Sequence, residues 1–220
     1  MRILHADDHP LFRLALAQAV RAVAPDAALA EAATFDEARA DLAAHPHTDL
    51  VLLDLNMPGS HGLIGLATLR AEHPATAVAM VSAQDDAATI RRALACGAAG
   101  YISKRAGLDE LGEALHAVLD CRTWLPPHVR DRVDATAPDP HDRALAARLA
   151  SLSPQQMRVL ALVADGLLNK QIADRLDVQE RTVKAHLTAV FERLGVRNRT
   201  RAGVLLRSLE MVDPANVVEA

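Results

Sequence analysis

The sequence predicts a doubly wound α/β domain on a five-stranded parallel sheet, of flavodoxin-like type, followed by an all-α four-helix domain. Three observations lead there. Over the first 120 residues, five short apolar runs alternate with five segments of helical period, the pattern of consecutive βα units. From Ser153 onward every segment reads as helix, with sharp start and stop signals. Charge divides at the same place. Residues 1–120 carry 9 Lys and Arg against 16 Asp and Glu, a net −7, whereas 151–213 carry 10 against 7, a net +3, in a chain of net −4. An acidic half beside a basic half suits metal or phosphate chemistry in one and nucleic acid in the other.

The elements follow in order. Strands are expected at 2–6, 28–32, 50–53, 77–81 and 99–102, each apolar on both sides, as in a sheet covered on both faces. Helices are expected near 11–23, 36–44, 61–72, 86–96 and 108–119. Thr34 and Asp36 are candidate caps for the second helix, and Gly97 is placed to terminate the fourth. Composition shifts after Trp124. Pro126-Pro127 and the run Ala137 to Asp142 read as an extended, exposed linker, because Pro fixes φ and removes a donor. A short helix, Arg143 to Leu149, precedes the second domain. The expected partition is 1–122, a linker 123–148, and 149–213.

In the second domain, Ser153-Pro154 gives an N-cap with Pro in the first turn, and Gly166 ends that helix. Asn169 is expected to cap a helix from Lys170 to Leu176. Asp177-Val178-Gln179 forms a tight turn, and a third helix runs from about Glu180 to Leu194 with Gly195 closing it. A fourth, from about Thr200 to Leu209, presents Val204, Leu205 and Leu209 as its apolar stripe. On the third helix Val183, Leu187, Val190 and Leu194 share one face. Arg181, Lys184, Ala185, Thr188 and Glu192 lie opposite. That wheel suits either an ordinary amphipathic surface helix or a reader of the major groove.

Several residues fall at the carboxyl ends of the predicted strands, where doubly wound sheets bind ligands. They are Asp7 and Asp8, Asp54, Ser82 and Lys104. Adjacent acids with a third nearby repel unless a cation lies between them. Mg²⁺ fits, since it takes few protein oxygens, keeps waters and bridges to phosphate. Asp54 could then be a nucleophile toward a phosphoryl donor, with the metal and Lys104 neutralising the transferring oxygens and Ser82 donating a hydrogen bond. His45 and His47, flanking Pro46, have no third ligand nearby and read as surface groups. Cys96 and Cys121 form no metal-type pair and read as reduced thiols. The chain opens directly on a strand, and no apolar run approaches the roughly 20 residues that span a bilayer, so a soluble, cytoplasmic protein without membrane contact is expected.

Three motifs in the first half, Ala6-Asp7-Asp8-His9-Pro10-Leu11, Asp54-Leu55-Asn56-Met57-Pro58-Gly59 and Cys96 to Lys104, resemble the receiver domains of two-component response regulators. In the second half Leu152-Ser153-Pro154, Gly166, Asn169 to Ala173, Thr182 to Leu187 and Leu194-Gly195-Val196 look like LuxR-type output domains. Together they resemble the NarL/FixJ family. The resemblance implies Asp54 as phosphoacceptor. It implies Mg²⁺ held by Asp8, Asp54 and the backbone carbonyl of Asn56, with Asp7 acting through a metal-bound water. Ser82 and Tyr101 match the family's switch positions, and His9-Pro10 is a local structural feature. It also implies that Lys184, Ala185 and Thr188 face bases while Lys170 and Thr182 lie near the backbone, with Arg181 beside them. A sensor histidine kinase, double-stranded DNA and a homodimer built partly by the last helix are the implied partners.

Against the pattern, Gln155-Gln156 replace a usual Arg-Glu, removing an ion pair from the first turn, and Gln179 is a poor N-cap. Two other readings compete. A phosphatase using Asp54 as covalent nucleophile would need an acid at Asn56. A phosphorylation-independent DNA-binding regulator with a vestigial receiver would not need the intact acidic set.

Overall fold

The computed structural model describes residues 1–135 and 139–210; parts of the expected linker (136–138) and of the last domain (211–213) lie outside them. Five strands, β1 (Arg2–Ala6), β2 (Ala28–Ala32), β3 (Leu50–Asp54), β4 (Ala77–Ser82) and β5 (Gly100–Ser103), form one parallel sheet in the order β2-β1-β3-β4-β5. The helices α1 (Pro10–Val23), α2 (Phe35–Ala44), α3 (Leu63–Glu72), α4 (Ala87–Ala95) and α5 (Leu108–Leu119) alternate with the strands. All five expected strands and helices are present, with ends shifted by a residue or two. The Thr34 hydroxyl caps α2 by accepting from Glu37 N at 3.2 Å, and Gly97 follows α4 at φ +90°.

β3 is buried along its whole length, as its run of Leu and Val requires in a central strand. β2 departs from expectation. It lies at the sheet edge and is only partly covered, with Ala28 and Glu31 exposed and only Ala32 fully buried. An edge strand packs fewer neighbours, so small Ala and a solvated Glu31 suffice there.

Much of the stretch expected as an extended linker is instead helical, and the helix expected from Arg143 to Leu149 is present but begins earlier, at Pro140. α6 (Pro127–Asp134) and α7 (Pro140–Ala150) each begin with Pro in the first turn, where its missing N–H costs nothing. Asp139 caps α7, accepting from His141 N at 2.8 Å. Val129 and Val133 of α6, four residues apart, are buried together, and α6 packs on α4. Trp124 and Leu125 are also buried, and the Trp124 carbonyl accepts from Tyr101 N at 2.9 Å, extending the edge of the sheet past β5. The Pro residues therefore start helices here rather than prevent them.

The second domain comprises α8 (Pro154–Ala164), α9 (Asn169–Leu176), α10 (Glu180–Leu194) and α11 (Arg199–Glu210). Ser153 and Gln156 form a reciprocal cap on α8. Ser153 N donates to Gln156 Oε1 at 2.9 Å and Gln156 N to Ser153 Oγ at 3.3 Å. Gln156 also accepts from Arg193 at 2.8 Å, so a neutral residue satisfies the turn from which the usual ion pair is missing. Asn169 is not the cap of α9 but its first residue; Gln171 Oε1 accepts from Leu168 N at 2.7 Å. Gln179 makes no side-chain cap to α10. On α11 the buried face is Ala202, Leu206 and Leu209, while Val204 is exposed, so the stripe is rotated from the expected one. Among the described residues, no helix is long and apolar enough to cross a membrane.

α3 joins the two halves. Every residue from Leu63 to Leu69 is buried, so this helix is covered all round. One side meets the sheet; α7, α8 and α11 pack against it as well. Ion pairs flank the contact: His61 Nε2–Asp165 Oδ1 at 2.8 Å, Arg158 Nε–Glu72 Oε1 at 2.8 Å and Arg175–Asp36 at 2.9 Å. Glu72 is nearly buried and also receives a two-pronged contact from Arg39. Burial pushes its carboxyl up, but the bonds from Arg39 and Arg158 outweigh this and leave it below its ordinary value.

Gly65 shows how tight this seat is. A Cβ there would lie 2.6 Å from Ser60 Oγ and 2.8 Å from the Ser60 carbonyl. Gly65→Ala should gain helix propensity of about 1 kcal/mol. The overlap with backbone should outweigh it, giving a net loss of about 1–3 kcal/mol. Urea denaturation checks the sign; a stabilised variant would show that the loop before α3 yields freely.

Candidate functional site

The sheet register places the acidic residues together. Ala6 pairs with Leu53, Asp54 with Val81 and Ser82 with Ser103, so Asp7, Asp54, Ser82 and Lys104 emerge side by side at the carboxyl edge. Asp7 and Asp54 are buried; Asp8 is half-exposed. Lys104 Nζ bridges them, 2.8 Å from Asp7 Oδ2 and 3.0 Å from Asp54 Oδ2, with its stem shielded and its ammonium 5.3 Å from the centre of the Phe12 ring. Asn56 is exposed just beyond Asp54, its N–H donating to Asp54 Oδ1 at 3.3 Å.

Ser82 and Tyr101 sit one layer away. Ser82 Oγ accepts from Gln84 N at 3.0 Å, and the buried Tyr101 hydroxyl donates to the Gln84 carbonyl. Both residues thus bond to the same loop after β4. Burial pushes the Tyr101 hydroxyl well above its ordinary value, keeping it a donor.

Three residues absent from the expected set complete the site. His9, read in the sequence as a local structural feature, brings Nδ1 to 2.7 Å from Asp8 Oδ1, 3.1 Å from Asp7 Oδ1 and 3.9 Å from Asp54 Oδ2. His5 lies fully buried beneath, its Nε2 3.8 Å from Asp7 Oδ2. It shares a strand face with Asp7 by alternation, the one signal that could have found it. Arg13 donates to the Asp7 carbonyl at 2.6 Å. One ligand atom each from Asp7, Asp8, His9 and Asp54 lie within 4.8 Å of one another, so the cluster can hold a metal ion. His45 and His47 are exposed, as expected.

The two buried acids are driven in opposite directions. For Asp7, burial raises the carboxyl, but the adjacent His5 ring, the Lys104 ammonium and the hydrogen bond from the His9 backbone outweigh it and hold it well below the usual range. For Asp54, burial dominates and the Asp7 charge adds to it, so its carboxyl is raised despite Lys104.

The second site is the outer face of α10. Val183, Leu187, Val190 and Leu194 are buried, as the wheel required, and Arg181, Lys184, Ala185 and Thr188 are exposed, with Thr182 half-buried. Lys170 is exposed near the start of α9. Lys184 pairs with Glu180 at 3.1 Å one turn back. Asp177 at φ +50° makes the tight turn between α9 and α10.

A test follows from the opposed acids. A group whose folded pKa is raised favours the folded state while protonated and loses that contribution as pH rises through the folded value. Ionised Asp54 therefore opposes folding at neutral pH when no cation is bound. Asp54→Asn should raise the melting temperature of the metal-free chain at neutral pH, and the gain should shrink as pH falls through the raised folded value and vanish below about 4, where free carboxylates also protonate. Excess divalent cation should reverse the order. A variant less stable than wild type at neutral pH without metal would show that Lys104 fully neutralises the cluster.

Comparisons with known proteins agree with this division. Residues 3–116 match the response regulator receiver domain family, and 150–206 match the bacterial regulatory proteins of the luxR family. The chain is 39% identical over 204 residues to the glycerol metabolism activator of Pseudomonas putida, covering 91% of this chain and 92% of that protein. It is 34% identical over 203 residues to the nitrate/nitrite response regulator protein NarL of Escherichia coli K12, covering 92% and 93%. In fold it is similar to an RcsB–DNA complex, with a TM-score of 0.56 at 21% identity, covering 95% of this chain and 98% of that one. With a receiver fold carrying an acidic pocket, a helix-turn-helix domain behind it and relatives matched over nearly their whole length, the chain belongs to the response regulators that join a receiver domain to a LuxR-type DNA-binding domain.

Proposed function

We propose that this chain is a transcriptional regulator controlled by phosphorylation of Asp54, with a sensor histidine kinase as donor. The carrying observation is the buried Asp54 carboxylate held at 3.0 Å by Lys104 beside two further acids. In the transfer, the P–N bond to the donor histidine breaks as an Asp54 oxygen forms a P–O bond. Asp8, Asp54 and the Asn56 carbonyl would hold Mg²⁺, with Asp7 contributing through water; the ion neutralises charge on the transferring oxygens. Lys104 would stabilise the same oxygens from the other side, and the Ser82 hydroxyl would turn from Gln84 N toward the phosphoryl group. Tyr101, bound to the same loop, would follow. The acyl phosphate returns to carboxylate and inorganic phosphate by hydrolysis, and no metabolic substrate is required.

The output is double-stranded DNA, read by α10. Lys184, Ala185 and Thr188 would face bases, and Lys170, Arg181 and Thr182 would meet the backbone. We assign residues 1–122 to the receiver, 123–148 to a connecting segment and 149–213 to the reader. Because the reading face of α10 is exposed while α3 covers α8 and α11, control by freeing surfaces for a homodimer fits better than control by burying the reader. The reading with a vestigial receiver is less well supported, since it gives no role to the aligned acids and Lys104.

Asp54→Ala should abolish labelling by acetyl phosphate with Mg²⁺, and chelation should do the same in wild type; labelling at a normal rate would transfer the role to another acid. Lys184→Ala should weaken DNA binding without unfolding the domain, since the side chain is exposed. Loss of a base contact should cost roughly 1–3 kcal/mol on a specific site. Loss of a phosphate contact should instead flatten the log–log salt slope by about one unit. Wild-type binding to both specific and random duplexes would remove α10 as the reader.

A further inference from the structure

The seam between the two domains is not closed along its whole length. It holds a cavity of about 550 Å³, inside the roughly 300–1,000 Å³ range of small-molecule sites. Both domains build its walls. Phe35, Arg39 and Thr68 come from the first; Arg158, Leu162 and Arg175 come from the second. Phe35 and Leu162 are buried and give the cavity an apolar wall beside its cations.

The protein does not use up those cations. Glu72, nearly buried behind the cavity, accepts from Arg39 at 3.0 Å and 2.7 Å and from Arg158 at 2.8 Å. One carboxylate thus faces two guanidiniums, and one positive charge is left over at that wall. Asp36 and Asp165 also line the cavity, but Asp36 is paired with Arg175 at 2.9 Å and Asp165 with His61 at 2.8 Å. Among the described residues, Arg158 engages an acceptor only through Nε and Arg175 only through one η nitrogen. A guanidinium carries five N–H donors, so both keep donors for a further acceptor. Thr68 adds an independent sign. It is 1% exposed, and its hydroxyl has no hydrogen-bond partner. A helical Thr often returns its hydroxyl to the carbonyl one turn back; Thr68 does not. An unpaired buried hydroxyl is unfavourable, and a polar group seated in the cavity can pair with it.

We propose that this cavity binds a small organic monocarboxylate, with its carboxylate on Arg158 and Arg175 and its apolar body against Phe35 and Leu162. A single carboxylate matches the single surplus charge, and its two oxygens suit the planar fork of a guanidinium. A phosphate dianion would exceed that charge, and a neutral molecule would leave the forks unpaired. Because the walls come from both domains, occupancy favours the joined arrangement, and by linkage whatever separates the domains weakens the ligand. The cavity shares no residue with the acidic cluster and depends on no role assigned there.

The experiment uses the full chain, with butyrate, octanoate and phenylacetate as probes and phenylacetamide and inorganic phosphate as controls, read by calorimetry and thermal shift. At least one of the carboxylates should bind and raise the melting temperature. Phenylacetamide and phosphate should bind at least about tenfold more weakly than that carboxylate. Arg175→Gln, at an exposed position, should weaken the carboxylate by about tenfold or more. Ala161→Phe, which fills the cavity without touching an ion pair, should abolish binding. Labelling of Asp54 should stay as in wild type in both variants. Absence of binding by all three carboxylates overturns the proposal, as does an amide or phosphate that binds as tightly, or carboxylate affinity that survives both substitutions. Should Ala161→Phe fail to fold, Arg175→Gln alone decides.

Discussion

Buried like charge organises the first domain. Asp7 and Asp54 end adjacent strands, and the register of β1 on β3 leaves them nowhere to go but toward each other. Lys104, delivered by β5 from the far side of β4, offsets that repulsion only in part. One acid settles below its ordinary value and the other above it. The site is thus left short of positive charge. That shortage suits it to bind a cation and to be altered by a phosphoryl group, because either changes the balance the surrounding loops are built on. Parallel strands are needed for this geometry, since only they bring all their carboxyl ends to one edge.

From that edge two loops lead outward. The loop after β4 is tied to Ser82 at its start and to Tyr101 through Gln84; next to Gln84, Asp85 accepts from Ser103 at 2.8 Å and pairs with His128 of α6 at 3.1 Å. The loop after β3 runs from Asp54 to His61, which pairs with Asp165 in the second domain. Gly59 and His61 in that loop, and Gly62 directly after it, have positive φ. His61 gains nothing from glycine's freedom, so its conformation is maintained by its surroundings. Beyond it, α3 is apolar around its whole circumference and needs cover on its outer side, which α8 and α11 provide. The flanking ion pairs differ in weight. Arg175–Asp36 is well exposed and contributes little, whereas Glu72 is nearly buried and fixes Arg158 against Arg39. The contact between domains therefore owes its apolar strength to α3 and its orientation to Glu72.

Much of this was legible in the chain. Periodicity located ten alternating elements of the first domain and the three apolar residues per two turns that bury α10, because burial imposes spacing 2 on strands and spacing 3.6 on helices. The aligned acids and Lys104 could be placed at one edge before any coordinates, since a parallel sheet allows no other arrangement. What misled was local. Pro126-Pro127 and Pro140 suggested extended chain, but Pro at a first helical turn is permitted, and only the pairing of Val129 and Val133 against α4 decided that a helix forms. On α11, Val204 and Leu206 are equally apolar, and which one is buried depends on where the neighbouring helices lie.

The sequence by itself determined the two folds, the acidic edge and the basic helix, because each is specified by residues close in the chain or by strand order. The tertiary structure alone decided the rest. It turned His9 into the acid cluster, buried His5 beneath Asp7, and closed α3 under the second domain while leaving the outer face of α10 open. These outcomes depend on distances between elements far apart in sequence, and no spacing rule encodes a distance across a core.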